Sequence, residues 1–206
     1  MEGQFGSSQV ATDSLRPRSW LARYFRKFLG QERVVCGGPP WKFAPREWVT
    51  AFVGSFVAIA ALGLYSQYGV ERAELLGIMP SMGATAVLLY AVPESPLSQP
   101  RNVFGGSLMS AVLGLLFQRL TVAAPELRWL AGALAVSLSV VAMMLTKTVH
   151  PPAGATALFI ATSASPLVIS SGWWVLLVLV AVGMLMMMAV AVIVDNVFLT
   201  YPKYWI

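Results

Sequence analysis

From Trp173 to Val194 the chain reads WWVLLVLVAVGMLMMMAVAVIV, without one charged side chain. A helix needs about 20 apolar residues to cross a hydrocarbon core of ~30 Å, and this run meets that length. It is apolar on every side, so it cannot be a surface helix of a soluble domain, which keeps one polar face. The composition agrees: 57% of the 206 residues are hydrophobic and 11% are charged, against roughly 25% charged in soluble domains. The chain is read as an integral membrane protein.

Four segments are long and apolar enough to span: residues 48–68, 103–122, 127–146 and 173–199. Two others, 75–92 and 149–163, are shorter and interrupted by Gly77, Pro80 and Gly83 in the first and by Pro151, Pro152 and Gly154 in the second. These two match each other at an offset of 71 residues. Pro80 aligns with Pro151, Gly83-Ala84-Thr85-Ala86 with Gly154-Ala155-Thr156-Ala157, and, after a one-residue gap, Ser95-Pro96-Leu97 with Ser165-Pro166-Leu167. The pattern is long span, short punctuated segment, long span, twice over. The fold expected is an all-α membrane protein, a bundle of four long transmembrane helices plus two short broken helices. The short helices are either crossing or re-entrant, and the six form two three-helix repeats, 47–122 and 127–199. Six crossings are favoured, because paired inverted repeats are a common transporter plan.

Residues 1–46 form a separate arm. Eight of the 14 Lys and Arg lie there, among them Arg16, Arg23, Arg26, Lys27 and Arg33. Basic residues beside a hydrophobic body indicate cytoplasmic placement rather than nucleic-acid binding. Within the arm, Trp20, Leu21, Tyr24, Phe25, Phe28 and Leu29 fall on one helical face over residues 19–30. This predicts an amphipathic helix lying on anionic lipid, with packing on the protein's own cytoplasmic face as the alternative. The N-terminus does not read as a cleaved signal peptide. A multi-pass protein of a bacterial-type inner membrane, with both termini cytoplasmic, is expected.

Broken helices persist in a membrane only where protein or a water-filled cavity covers them. In pairs, at matching places in two repeats, they point to a transporter binding site. A helix that starts inside the membrane presents the positive end of its dipole, and two such ends facing each other suit a small anion. The residues expected to bind it are Ser81, Gly83 and Thr85 in the first segment and His150, Gly154 and Thr156 in the second. The steric alternative makes the two Gly-Ala-Thr-Ala stretches helix-packing faces. His150 is the only histidine. It would either titrate near neutrality in a proton-linked role or cap the backbone carbonyls of Thr146 or Lys147. Arg101 and Asn102 are expected to neutralise the anion or seal a gate, with Glu94 paired to Arg101. Asp195, late in the last span, is expected to join them as a gate or charge partner, since a carboxylate there is costly unless paired or hydrated. Tyr201, Tyr204 and Trp205 are expected to mark one membrane interface and Trp173 and Trp174 the other.

Together, HPPAGATAL at residues 150–158 and SMGATAVLLYAVPESPLSQPRNVFGG at 81–106 resemble the HPP family of integral membrane proteins, named for its His-Pro-Pro. The similarity covers residues 43–199. Members are described as having four membrane-spanning helices, and some are assigned nitrite transport; the resemblance implies an anion transporter. A non-transporting membrane scaffold is the alternative. Catalysis is not expected, since no nucleophile–base or carboxylate pair has suitable spacing. One His and one Cys provide neither a metal site nor a disulfide, and no cofactor is implied. The expected partners are the small anion, the bilayer and further copies of the chain, because so short a chain encloses a pathway poorly alone.

Overall fold

The computed structural model describes residues 44–68, 79–164, 168–169 and 173–205. The basic arm before Ala44, with the helix expected at residues 19–30, lies outside the described residues, as do residues 69–78 and 165–167. Among those described there are six α-helices: α1 (Pro45–Tyr68), α2 (Pro80–Ala91), α3 (Pro100–Ala123), α4 (Arg128–Thr146), α5 (Pro151–Thr162) and α6 (Trp173–Asp195). Four of them begin on a proline, which has no N–H to satisfy and a backbone angle already suited to the first turn. Four stretches are long and apolar enough to cross a membrane: Pro45–Tyr68, Pro100–Ala123, Pro125–Thr146 and Leu177–Asp195. At 12 residues each, α2 and α5 are about 18 Å long, too short to cross alone.

Helix direction follows from the contacts. Along α3, Gly106 meets His150, Gly114 meets Ala157 and Ile160, and the Thr121 hydroxyl donates to the Ala161 carbonyl at 2.7 Å. So α5 runs parallel to α3 along most of its length. By contrast, Gly132 on α4 meets Leu158 and Thr162, and Met143 reaches Gly106, so α4 is antiparallel to both. Trp173, at the start of α6, lies under the Arg119 guanidinium near the end of α3. Just past the other end of α6, Tyr201 bonds to Ser98 near the start of α3. Gly54, in the first half of α1, leaves room for the ring of Tyr90 at the end of α2. The start of α1 and the end of α6 therefore share one end of the bundle.

The core is a contiguous cluster that includes Leu62, Leu89, Tyr90, Val103, Leu115, Ile160, Met184 and Met187, drawn from five of the six helices. The methionines of α6 fill gaps in it, as flexible thioethers do. Outward-facing residues such as Phe52, Phe56, Leu145 and Ile193 are mostly exposed, as a lipid-facing surface requires.

The turn from α4 to α5 is tightly built. The Thr148 N–H bonds to the Met143 carbonyl at 2.9 Å and the Lys147 N–H to the Met144 carbonyl at 3.3 Å. These are the two bonds of a Schellman ending. Its left-handed position is taken by Lys147, at φ 56°, where glycine is usual. A lysine there costs about 1–2 kcal/mol.

Three expectations that involve the C-terminal end need correction. The last helix stops at Asp195 rather than at residue 199. Asn196 ends it by donating to the carbonyls of Val192 and Tyr201 and accepting the Tyr201 N–H at 3.0 Å. Tyr201 is consequently drawn inward to 1% exposure and does not mark an interface. Glu94 pairs with Lys203 at 2.9 Å, not with Arg101. Buried Gln99 completes this junction, donating to the carbonyls of Pro93 and Ser95 and accepting the Lys203 N–H.

Candidate functional site

His150 stands immediately before α5 and is fully buried. Its Nδ1 lies 3.0 Å from the Leu97 carbonyl, and its Nε2 lies 3.0 Å from the Thr85 hydroxyl. A carbonyl only accepts, so Nδ1 carries a proton. In the neutral ring Nε2 then accepts, and the Thr85 hydroxyl donates to it. The two partners lie 53 and 65 residues away in the sequence. The histidine thus ties the start of α5 to the middle of α2 and to the turn that follows it. It caps neither Thr146 nor Lys147, whose carbonyls were the structural alternative in the sequence.

The start of α3 supports this junction. Arg101 donates to the Thr146 carbonyl and Asn102 to the Val149 carbonyl, each at 2.9 Å. Two backbone acceptors at the link between α4 and α5 are thereby satisfied by side chains of α3. Gly106 lets the chains approach. A Cβ there would stand 2.6 Å from the Thr148 carbonyl oxygen and 2.9 Å from the His150 Cβ, closer than packed atoms allow.

The Pro-Pro pair has a definite role at the start of α5. A helix leaves its first N–H groups without intrahelical partners. Pro151 and Pro152 have none, and the Ala153 N–H bonds back to the His150 carbonyl at 2.9 Å. The helix can therefore begin in a dry interior without a side-chain cap, and none is present at either short helix. The positive dipole end remains, but α5 has few free N–H donors to offer an anion.

Other expected site residues are distributed unevenly. Ser81 and Thr156 are fully buried, and their hydroxyls have no hydrogen-bond partner. Gly83 is exposed and lines an open apolar crevice with Phe52, Ser55, Ile59 and Val87 between α1 and α2. Gly154 is half-buried, and a Cβ added at either glycine would meet nothing within 4 Å. Asp195 is fully buried at the end of α6, with neither carboxylate oxygen hydrogen-bonded. The structure thus joins Thr85 to His150, with Arg101 and Asn102 beside them, while Gly83 faces outward.

Sequence reasoning missed the Leu97 carbonyl, Gly106, and the unpartnered buried hydroxyls of Ser107 on α3 and Ser139 on α4. The Gly105-Gly106 pair was a visible signal of close approach; the two serines look like ordinary small residues of a span. Among the described residues, no group of three or more His, Cys, Asp and Glu side chains could hold a metal.

Residues 40–204 match the family described as HPP, transmembrane region. A transmembrane protein of Dictyostelium discoideum is 35% identical over 188 residues, which make up 90% of this chain and 58% of that protein. A second transmembrane protein of the same organism is 33% identical over 190 residues, 91% of this chain and 65% of its own length. The chain therefore spans about three fifths of the length of these relatives. No solved structure matches it. The match runs from the start of the bundle through the C-terminal junction and takes in both short helices, so this chain belongs to the HPP family of multi-pass integral membrane proteins.

Proposed function

We propose that the protein is a transporter or channel for a small inorganic anion, with nitrite as the first ion to test. The observation that carries this reading is the pair of buried, unpartnered hydroxyls, Ser81 on α2 and Thr156 on α5. A buried polar group without a partner costs about 1–3 kcal/mol, and a bound anion beside a positive helix end would satisfy it. In this reading Thr85 and His150 hold the frame, Gly83 and Gly154 leave room for movement, and Arg101 and Asn102 act at the mouth. On the same reading α2 and α5 cross only together with the segments that flank them, giving six crossings in two inverted repeats; both termini are cytoplasmic, and copies of the chain associate through their apolar outer faces. The basic arm, resting on anionic lipid, supports that orientation.

Proteoliposomes loaded with nitrite test it directly. Flux above protein-free vesicles is expected, falling several-fold in Ser81→Ala with Thr156→Val and in a variant with bulky residues at Gly83 and Gly154. Flux equal to that of empty vesicles would remove the transport reading.

A second reading is supported by a specific observation. Both nitrogens of His150 are occupied within the chain, and Pro151-Pro152 removes the donors an anion would seek. A non-transporting scaffold needs no more than this. Folded protein that moves no anion, yet loses stability in His150→Ala, favours it.

A further inference from the structure

Asp195 is the one buried carboxylate among the described residues, and its surroundings suit a neutral group. It is fully buried, and both oxygens lack a hydrogen-bond partner. It is the last residue of α6, where the helix dipole presents its negative end and disfavours another negative charge.

No described cation compensates it. Helices α1, α2 and α3 pack on α6. From α3, Arg101 is committed to the Thr146 carbonyl, and Arg119 lies over Trp173 at the far end of α6. From α1, Arg46 is exposed, Glu47 accepts the Ala44 N–H, Tyr65 packs against the shared core and Tyr68 is exposed. In the C-terminal segment Lys203 pairs with Glu94. The ionisable groups within electrostatic reach are Tyr90 from α2 and Tyr201. Neither hydroxyl turns to the carboxylate: Tyr90 donates to the Met187 carbonyl at 2.8 Å and Tyr201 to the Ser98 carbonyl at 3.0 Å. Burial pushes the Tyr201 phenol up from its ordinary value, so that group stays neutral. An ionised carboxylate in these surroundings would be a buried charge without a partner, which proteins avoid by neutralising the group.

We propose that Asp195 is a proton-binding site: its carboxyl carries a proton in the conformation described and passes it to water only when the end of α6 opens. The proposal rests on the placement of Asp195 and stands whether or not the chain carries an anion.

The test uses the full chain in lipid at neutral pH. A hydrophobic carbodiimide adds to protonated carboxyls in apolar surroundings, and peptide mass spectrometry locates the adduct. An adduct on Asp195, and none on exposed Glu126, is expected. Infrared spectra should show a protonated-carboxyl band that disappears in Asp195→Asn, along with the adduct. Folded wild-type protein without the adduct and without the band overturns the proposal. Protection of Asp195 by sodium at constant pH also overturns it, because the site would then belong to a monovalent cation. If Asp195→Asn does not fold, the wild-type adduct and its response to sodium decide alone.

Discussion

Helices α2 and α5 are built to one plan and finished differently. Each is 12 residues long, begins on a proline and carries Gly-Ala-Thr-Ala in its first turns. Yet the residue before the first proline is Met79 in one and His150 in the other, and the residue after it is Ser81 in one and Pro152 in the other. The consequence falls on the threonines. Thr85 has a partner, because His150 comes from the other short helix to meet it. Thr156, in the matching register position, has none, and a methionine at the position matching His150 has no donor or acceptor of comparable strength. The shared plan sets where the helices start. The difference decides which of the two matching threonines is fastened and which keeps a free hydroxyl.

Breaking the fastening should have the largest effect. His150→Ala strands the Leu97 carbonyl and the Thr85 hydroxyl and opens a cavity, and a loss of about 3–5 kcal/mol is expected. Denaturant unfolding in detergent measures it, and Met79→Ala should cost less because it removes packing alone. Next comes the approach that the fastening needs. Gly106→Val drives a branched side chain into Thr148 and His150 and should cost about 1–3 kcal/mol, read as a lowered melting temperature.

The threonines then divide the two helices cleanly. Thr85→Val leaves His150 short of one partner and should cost about 1–2 kcal/mol. Thr156→Val loses no bond and should be neutral or slightly stabilising, since it removes an unsatisfied polar group. Equal losses at the two positions would mean that Thr156 has a partner in the native membrane. The smallest change is expected at the glycines. With open space beside each, Gly83→Ala and Gly154→Ala should gain up to roughly 0.5–1 kcal/mol of helix stability. A loss at either site instead would reveal a closer neighbour, such as a second copy of the chain.

Much of this architecture was legible in the sequence, because the relevant physics is local. Apolar length marks a span wherever it occurs, and Pro80 and Pro151 mark helix starts because a missing N–H matters only there. The pairing of the two short segments was also visible, as a shared string. The partners of the polar groups were not. His150 bonds to atoms 53 and 65 residues away, one of them a backbone carbonyl that has no sequence signature. Glu94 is seven residues from Arg101 in the sequence, yet it finds Lys203, because the turn after Asp195 brings the C-terminal segment back across Gln99. Tyr201 reads like any interfacial aromatic until that same turn is known. A buried group that lacks a partner, such as Asp195, is a property of everything around it and cannot be read from its neighbours in the chain.

The link from His150 to Thr85 also bears on how the protein is made. Thr85 and Leu97 are synthesised well before the histidine that satisfies them. Until α4 and the residues after it emerge, α1, α2 and α3 carry a hydroxyl and a carbonyl with no partner, in a solvent that supplies none. The first half is therefore an incomplete object in lipid. Its separate expression should yield a product that the cell degrades rather than half of a working bundle.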